Sequence, residues 1–165
     1  MNLPISPKIQ SLSGLLPLLE AARKRGSKII FTNGCYDILH PGHVDLLTRC
    51  RALGGTDDLL VLGLNSDASV RRQGKTPPRP LNAFADRAFV LAGLAAIDFV
   101  VGFEEDTPQN LIEAVQPDIL VKGGDWSPEK IVGRECVLRR GGQVISLPLL
   151  PGYSTTGLIE KIRLL

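Results

Sequence analysis

Histidine is nearly absent from this 165-residue chain: there are two, His40 and His43. Cysteine is scarce too. Cys35, Cys50 and Cys136 form no Cys-x-x-Cys pair and leave one over in any disulfide pairing, which argues against a disulfide framework and suits a reducing compartment such as the cytoplasm. No apolar run approaches the ~20 residues of a membrane span, and the stretch through Leu19 carries Pro4, Pro7 and Pro17 without a charged leader. A net charge of +2 gives no ground for a nucleic-acid partner. The first strand-like run is not followed by Gly-x-Gly-x-x-Gly, which sets aside a dinucleotide-dependent dehydrogenase, and no Gly-x-Ser-x-Gly elbow suggests a serine hydrolase. Internal repeats, low-complexity segments and an interdomain linker are also missing. What remains is a chain 44% hydrophobic and long enough to bury a sizeable core as one compact domain.

Short apolar runs alternate with helical patterns, the sequence signature of parallel βαβ units. Strands are expected at Lys28–Thr32, Leu59–Leu64, Phe99–Val101, Ile119–Val121 and Val144–Leu147. Helices are expected at Leu12–Lys24, Pro41–Leu53, Ala83–Leu94, Pro108–Val115, Gly133–Arg140 and Ser154–Arg163. Asn82, Thr107-Pro108 and Ser127-Pro128 suit helix starts, and Gly54-Gly55 and Gly141-Gly142 suit helix exits. Near-continuous apolar strands imply a sheet covered on both faces. The expected fold is therefore α/β, with a doubly wound parallel sheet of five strands over residues 28–165 and an N-terminal arm and helix over residues 1–27. In such sheets ligands bind beyond the carboxyl ends of the strands, where strand order reverses. The first strand delivers Asn33 through His43 to that edge.

His40-Pro41-Gly42-His43 opens the second helix. Proline fits the first helical turn, because its fixed φ suits the helix and its missing N–H has no intrahelical partner to lose. The two imidazoles then lie together at the helix's positive end, where backbone N–H groups attract anions and imidazoles can stabilise charge developing on phosphorus. Ordinary capping or surface histidines are the plain alternative. A zinc site would need a third or fourth ligand, and only scattered Cys, Asp or Glu remain.

Ser66 to Pro80 reads as a long irregular loop holding Arg71, Arg72, Lys75 and Arg79. Such a loop is often a lid, and its cations suit phosphate oxygens; a solvated basic loop is the alternative. Ser154-Thr155-Thr156 places hydroxyls at another helix start, where plain N-capping competes with phosphate binding. Two anion-ready helix starts and a basic loop together read as a site for a triphosphate and a second phosphate. Asp37 either braces the turn after Gly34 or touches a metal, and Asp98 is expected to be structural. Cys35 is a possible nucleophile or a small buried residue.

Phe31-Thr32-Asn33-Gly34-Cys35-Tyr36-Asp37-Ile38-Leu39-His40-Pro41-Gly42-His43 resembles the opening motif of the cytidylyltransferase-like nucleotidyltransferases, which have a Rossmann-like fold and a His-x-Gly-His signature. Ser154-Thr155-Thr156 is similar to that family's closing motif. Leu64-Asn65-Ser66-Asp67, Phe103-Glu104-Glu105-Asp106-Thr107-Pro108-Gln109 and Leu120-Val121-Lys122-Gly123-Gly124-Asp125 carry a narrower resemblance, to the branch that acts on a heptose 1-phosphate. The likeness runs from about Lys28 to Ile162.

The resemblance implies transfer of AMP from ATP, with Mg²⁺, to D-glycero-β-D-manno-heptose 1-phosphate for lipopolysaccharide core synthesis, in a cytoplasmic homo-oligomer with no membrane or nucleic-acid partner. His40, His43 and Lys75 would be catalytic. Asn33, Gly34, Cys35, Tyr36, Gly42, Arg79, Ser154, Thr155 and Thr156 would bind the nucleotide, and Asn65, Asp67, Lys122 and Asp125 are candidates for the sugar. Two departures stand out. Relatives that use CTP with glycerol phosphate or choline phosphate carry an Arg shortly before Ser-Thr-Thr, whereas this chain has Leu149 and Leu150, which argues against cytidylyl transfer. The branch is also often fused to a sugar kinase; none is read here, so a separate protein is expected to supply the heptose 1-phosphate. A non-catalytic nucleotide-binding module is the other class of reading.

Overall fold

A computed structural model describes residues 6–124 and 126–165. Six parallel strands form one sheet: β1 (Ile9–Gln10), β2 (Ile29–Gly34), β3 (Leu59–Asn65), β4 (Phe99–Phe103), β5 (Ile119–Gly123) and β6 (Gln143–Leu147), in the order β1-β4-β3-β2-β5-β6. The helices are α1 (Leu12–Lys24), α2 (Pro41–Arg51), α3 (Asp67–Arg72), α4 (Phe84–Ala92), α5 (Gln109–Val115), α6 (Arg134–Arg139) and α7 (Thr155–Arg163), with a 3₁₀ turn at Pro128–Lys130. Strand order reverses between β2 and β5. The crevice beyond their carboxyl ends is therefore the place such a sheet offers a ligand.

Alternation along the strands sends neighbouring side chains to opposite faces. Ile30, Leu60, Leu62 and Leu64 pack with Leu46 and Leu47 of α2 and Ala88 and Leu91 of α4. Ile29, Phe31 and Val61 pack on the other face with Leu15 and Leu19 of α1, Leu111 and Ile112 of α5, and Val137 of α6. Burying a Leu or Phe side chain stabilises by roughly 1.5–3 kcal/mol, so these two layers are the main restraint on where the strand ends point.

The amino edge is stitched by aspartates that precede strands. Asp58 accepts from Lys28 N at 2.7 Å, Asp98 from Leu60 N at 2.7 Å and Asp118 from Ile29 N at 2.8 Å. Asp98 is thus structural, as its place before Phe99 suggests. The hydrogen bond from Lys28 N is the main reason the Asp58 carboxyl is held below its ordinary range.

Two expectations are corrected. The sheet has six strands rather than five, because Ile9 and Gln10, expected in the arm, pair with Val100 and Val101 at the edge of β4. A two-residue strand leaves no alternation to read. The stretch from Ser66 is not irregular throughout: α3 occupies Asp67–Arg72, and Ser66 Oγ caps it by accepting from Ser69 N at 3.1 Å. Arg71 and Arg72 therefore belong to a helix. Among the described residues, no helix is long and apolar enough to cross a membrane.

Candidate active site

A cavity of about 590 Å³ opens at the carboxyl edge of β2 and β5. Asn33 and Gly34 enter it from the end of β2, Asn65 from the end of β3, and Lys122 from β5. His40, Gly42 and His43 come from the start of α2, and Ser154, Thr155 and Thr156 from the start of α7. Cys35, Tyr36, Asp37, Lys75 and Arg79 arrive on the two intervening segments. Asp67 is not among the lining residues: it pairs with Arg87 at 2.7 Å. Its carboxylate serves the fold, which corrects its assignment to the sugar. Asp125 lies outside the described residues.

His40 is the extended residue immediately before α2, with Pro41 as the first helical residue. That geometry brings the two rings face to face, with centroids 3.7 Å apart and planes 17° from parallel. Tyr36 packs against His43 at 4.9 Å, and Tyr153 lies 6.4 Å from His40 on the other side. Burial, and secondarily the neighbouring His40, push His43 down to about 4; burial lowers His40 as well. Both shifts favour the neutral form of the stacked pair. Each Nδ1 is buried and, among the described residues, meets hydrogen-bond geometry with no partner.

Backbone geometry accounts for the glycines. A Cβ on Gly34 would come within 2.8 Å of the Tyr36 ring, and one on Gly42 within 3.2 Å of the His40 ring. Both glycines let aromatic rings close on the backbone, which adds a packing role to the nucleotide access expected of them.

Asp37 is 4% exposed and fully engaged. Its Oδ1 accepts from Leu81 N at 2.7 Å and Asn82 N at 2.9 Å, while Oδ2 faces Arg79 Nη1 at 3.4 Å. The carboxylate braces the turn, and a metal would have to displace these partners. Among the described residues, no group of three or more His, Cys, Asp or Glu is placed to hold a metal ion. Arg79 is 7% exposed and extends from Asp37 to Thr156 Oγ1 at 3.5 Å, and its buried Nε has no partner among the described residues.

Three lysines, Lys75, Lys122 and Lys130, line the cavity. Lys122 Nζ is 3.5 Å from Asn33 Oδ1, and Lys75 Nζ is 3.8 Å from Cys35 Sγ. Burial depresses the Lys122 ammonium, and the charge of Lys75 adds to the effect while Cys35 opposes it. Among the described residues none of the three lysines forms a salt bridge, which suits an anionic ligand at this end. Ser154 caps α7 by accepting from Gly157 N at 3.0 Å; Thr155 and Thr156 open the helix. Gln73, Asp106, Lys130, Trp126 and Tyr153 also line the cavity. Gln73 and Lys130 carried no sequence signal of their own. Asp106 stood in a run quoted only for its resemblance, and the exposed aromatics had no periodic pattern to mark them.

A sheet-edge cavity with paired imidazoles at one helix start, hydroxyls at another and lysines in its lining has the make-up of a phosphate-handling nucleotide site on a doubly wound α/β fold. The cytidylyltransferase-like family model matches residues 31–161, and the chain belongs to that family: it is a nucleotidyltransferase. It is 53% identical over 156 residues to the bifunctional protein HldE of Geotalea uraniireducens and 55% identical over 152 residues to that of Nitrobacter hamburgensis. These alignments cover 94% and 92% of this chain but 31% and 30% of the relatives, so the chain spans about a third of their length. Among solved structures it is similar to a lipopolysaccharide core biosynthesis protein from Thermoplasma volcanium, with a TM-score of 0.58 and 25% identity over 74% of this chain and 96% of that one. A pantoate–β-alanine ligase from Francisella tularensis shares the fold at a TM-score of 0.55 and 14% identity, covering 95% of this chain and 78% of the ligase.

Proposed function

We propose that the chain transfers AMP from ATP to D-glycero-β-D-manno-heptose 1-phosphate, releasing pyrophosphate and giving ADP-heptose for lipopolysaccharide core synthesis. The observation that carries the reading is the stacked histidine pair in one cavity with three lysines that, among the described residues, form no salt bridge. High identity to the HldE proteins and likeness to a lipopolysaccharide core biosynthesis protein support the choice of substrate.

A sugar phosphate is already an anionic nucleophile near neutral pH, so no strong base is required. Catalysis then rests on positioning and charge stabilisation. An acceptor phosphate oxygen forms a bond to the α-phosphorus as the bond from that phosphorus to the β-phosphate's bridging oxygen breaks. Its electron pair leaves with pyrophosphate. Neutral imidazoles donate N–H hydrogen bonds to the α-phosphate oxygens as charge gathers there. Lys75 and Lys122 neutralise the acceptor phosphate and the triphosphate, while Arg79, Thr155 and Thr156 hold the departing pyrophosphate. Gly34, Cys35, Tyr36 and Gly42 shape the wall along which the nucleotide lies, and Asn33 and Asn65 offer polar contacts at the strand ends. Mg²⁺ supplies further charge neutralisation when bound.

Purified protein assayed for pyrophosphate release with ATP or CTP against heptose 1-phosphate or glycerol 3-phosphate tests the proposal. Turnover confined to ATP with heptose 1-phosphate is expected. CTP-dependent turnover without ATP activity would replace it with cytidylyl transfer, and no turnover with any nucleotide would favour a binding module.

A further inference from the structure

The largest fully buried side chain in the protein is charged. Arg87, on α4, is 2% exposed and lies outside the cavity lining, yet its guanidinium makes four hydrogen bonds. Nη1 donates to Cys35 O at 2.6 Å and Nε to Asn82 O at 3.0 Å. Nη2 donates to Asn65 O at 2.9 Å and to Asp67 Oδ1 at 2.7 Å. One planar group thus joins the turn after β2, the end of β3, the start of α3 and the segment entering α4. Burial of an arginine is costly unless its donors are met, and here they meet the elements that carry the site.

The turn it grips has a strained shape. Tyr36 sits at φ 46°, in the left-handed region that bulky side chains avoid. Such a conformation persists only where its surroundings over-determine it. The residues on either side supply that restraint. Cys35 O is held by Arg87; Asp37 O accepts from Asn82 Nδ2 at 2.5 Å, and Asp37 Oδ1 accepts from Asn82 N. Because Asn82 O is itself bound by Arg87, the contacts close a ring around Tyr36. That ring of contacts fixes the phenol against His43, which in turn stacks on His40.

We propose that Arg87 is the positioning residue of the histidine pair: its buried guanidinium holds the Cys35–Asp37 turn in the strained form that sets Tyr36 against His43. The inference rests on the nucleotidyl-transfer reading of the site for its kinetic consequence. The groups on α7 connect to this turn through Arg79 rather than Arg87, so loss of the clamp disturbs the histidines more than the grip on the β- and γ-phosphates.

Arg87→Lys keeps the charge but cannot serve four acceptors in one plane. It is expected to lower kcat by roughly tenfold or more while the nucleotide KM stays within about threefold. The chain's only two imidazoles should both shift in NMR spectra of the ligand-free protein. Asp67→Ala removes one acceptor at the edge of α3 and Asn82→Ala opens the ring at Asp37 O; both should move the same imidazole signals by less than Arg87→Lys does. Folded Arg87→Lys protein with wild-type kcat and unmoved imidazole signals would overturn the proposal. If Arg87→Lys does not fold, unmoved signals in the other two variants would overturn it equally. The spectra need no substrate, so if wild-type protein fails to turn over ATP with heptose 1-phosphate, the substrate assignment falls while the imidazole signals still decide the role of Arg87.

Discussion

His43 links the folding of this protein to pH. Its folded pKa of about 4 lies below the ordinary 6.5, so between those values the unfolded chain takes up a proton that the folded chain refuses. Stability is therefore lost as pH falls from about 6.5 to 4. Urea unfolding at several pH values should show this slope, and His43→Asn should flatten its upper part, above the range where carboxylates titrate. The same ring is expected to matter for turnover: His43→Ala or His40→Ala should lower kcat by about 10²–10³-fold, the scale for removing one preorganised donor, with far-UV circular dichroism unchanged. The histidines could be found from sequence because they are the chain's only two and they flank Pro41-Gly42, a pair suited to a helix start. Asp37 and Asp67 were harder. A carboxylate looks the same in sequence whether it faces a ligand or a buried arginine, and only the chain's return at Arg79 and Arg87 assigns these two to the fold.

The elements were legible in proportion to their apolar periodicity. Helix α1 spans Leu12–Lys24 as expected, because its buried Leu15, Leu19 and Ala22 recur at helical spacing and Ser11 caps it. The strands were read short at their carboxyl ends. β2, β3 and β5 continue past the last apolar residue through Asn33-Gly34, Asn65 and Lys122-Gly123, and of these continuations Asn33, Gly34, Asn65 and Lys122 line the cavity. Hydrophobic patterning stops where the site begins. β1 and α3 were hidden for other reasons: one is two residues long, and the other is a basic helix with little apolar face. A stability prediction belongs to β1. Lys8 Nζ donates to Leu94 O at 3.1 Å and Ile97 O at 2.7 Å, pinning the edge strand to the end of α4. Lys8→Ala should cost about 1.5–3 kcal/mol, the range for hydrogen bonds to a charged group, in urea unfolding, with kcat unaltered because Lys8 is remote from the cavity.

At the scale of the molecule, the two cores on opposite faces of one sheet make a rigid platform, and the cavity sits where its strand order reverses. A ligand that fits this cavity stabilises the whole domain. At a hundredfold excess over Kd, a nucleotide should add about 2.7 kcal/mol to folding, and thermal melts should rise with ATP more than with equal CTP. An equal rise with both would remove the preference for adenine. The parallel register of β1 with β4 has a practical consequence. It puts Lys8 at the amino ends of the strands, while the cavity opens at their carboxyl ends, roughly 17–20 Å away for a strand of ordinary length. A fluorophore on a cysteine placed at the exposed Pro7, just ahead of β1, would therefore sit behind the sheet, leaving the mouth of the cavity open for substrate titration or surface immobilisation.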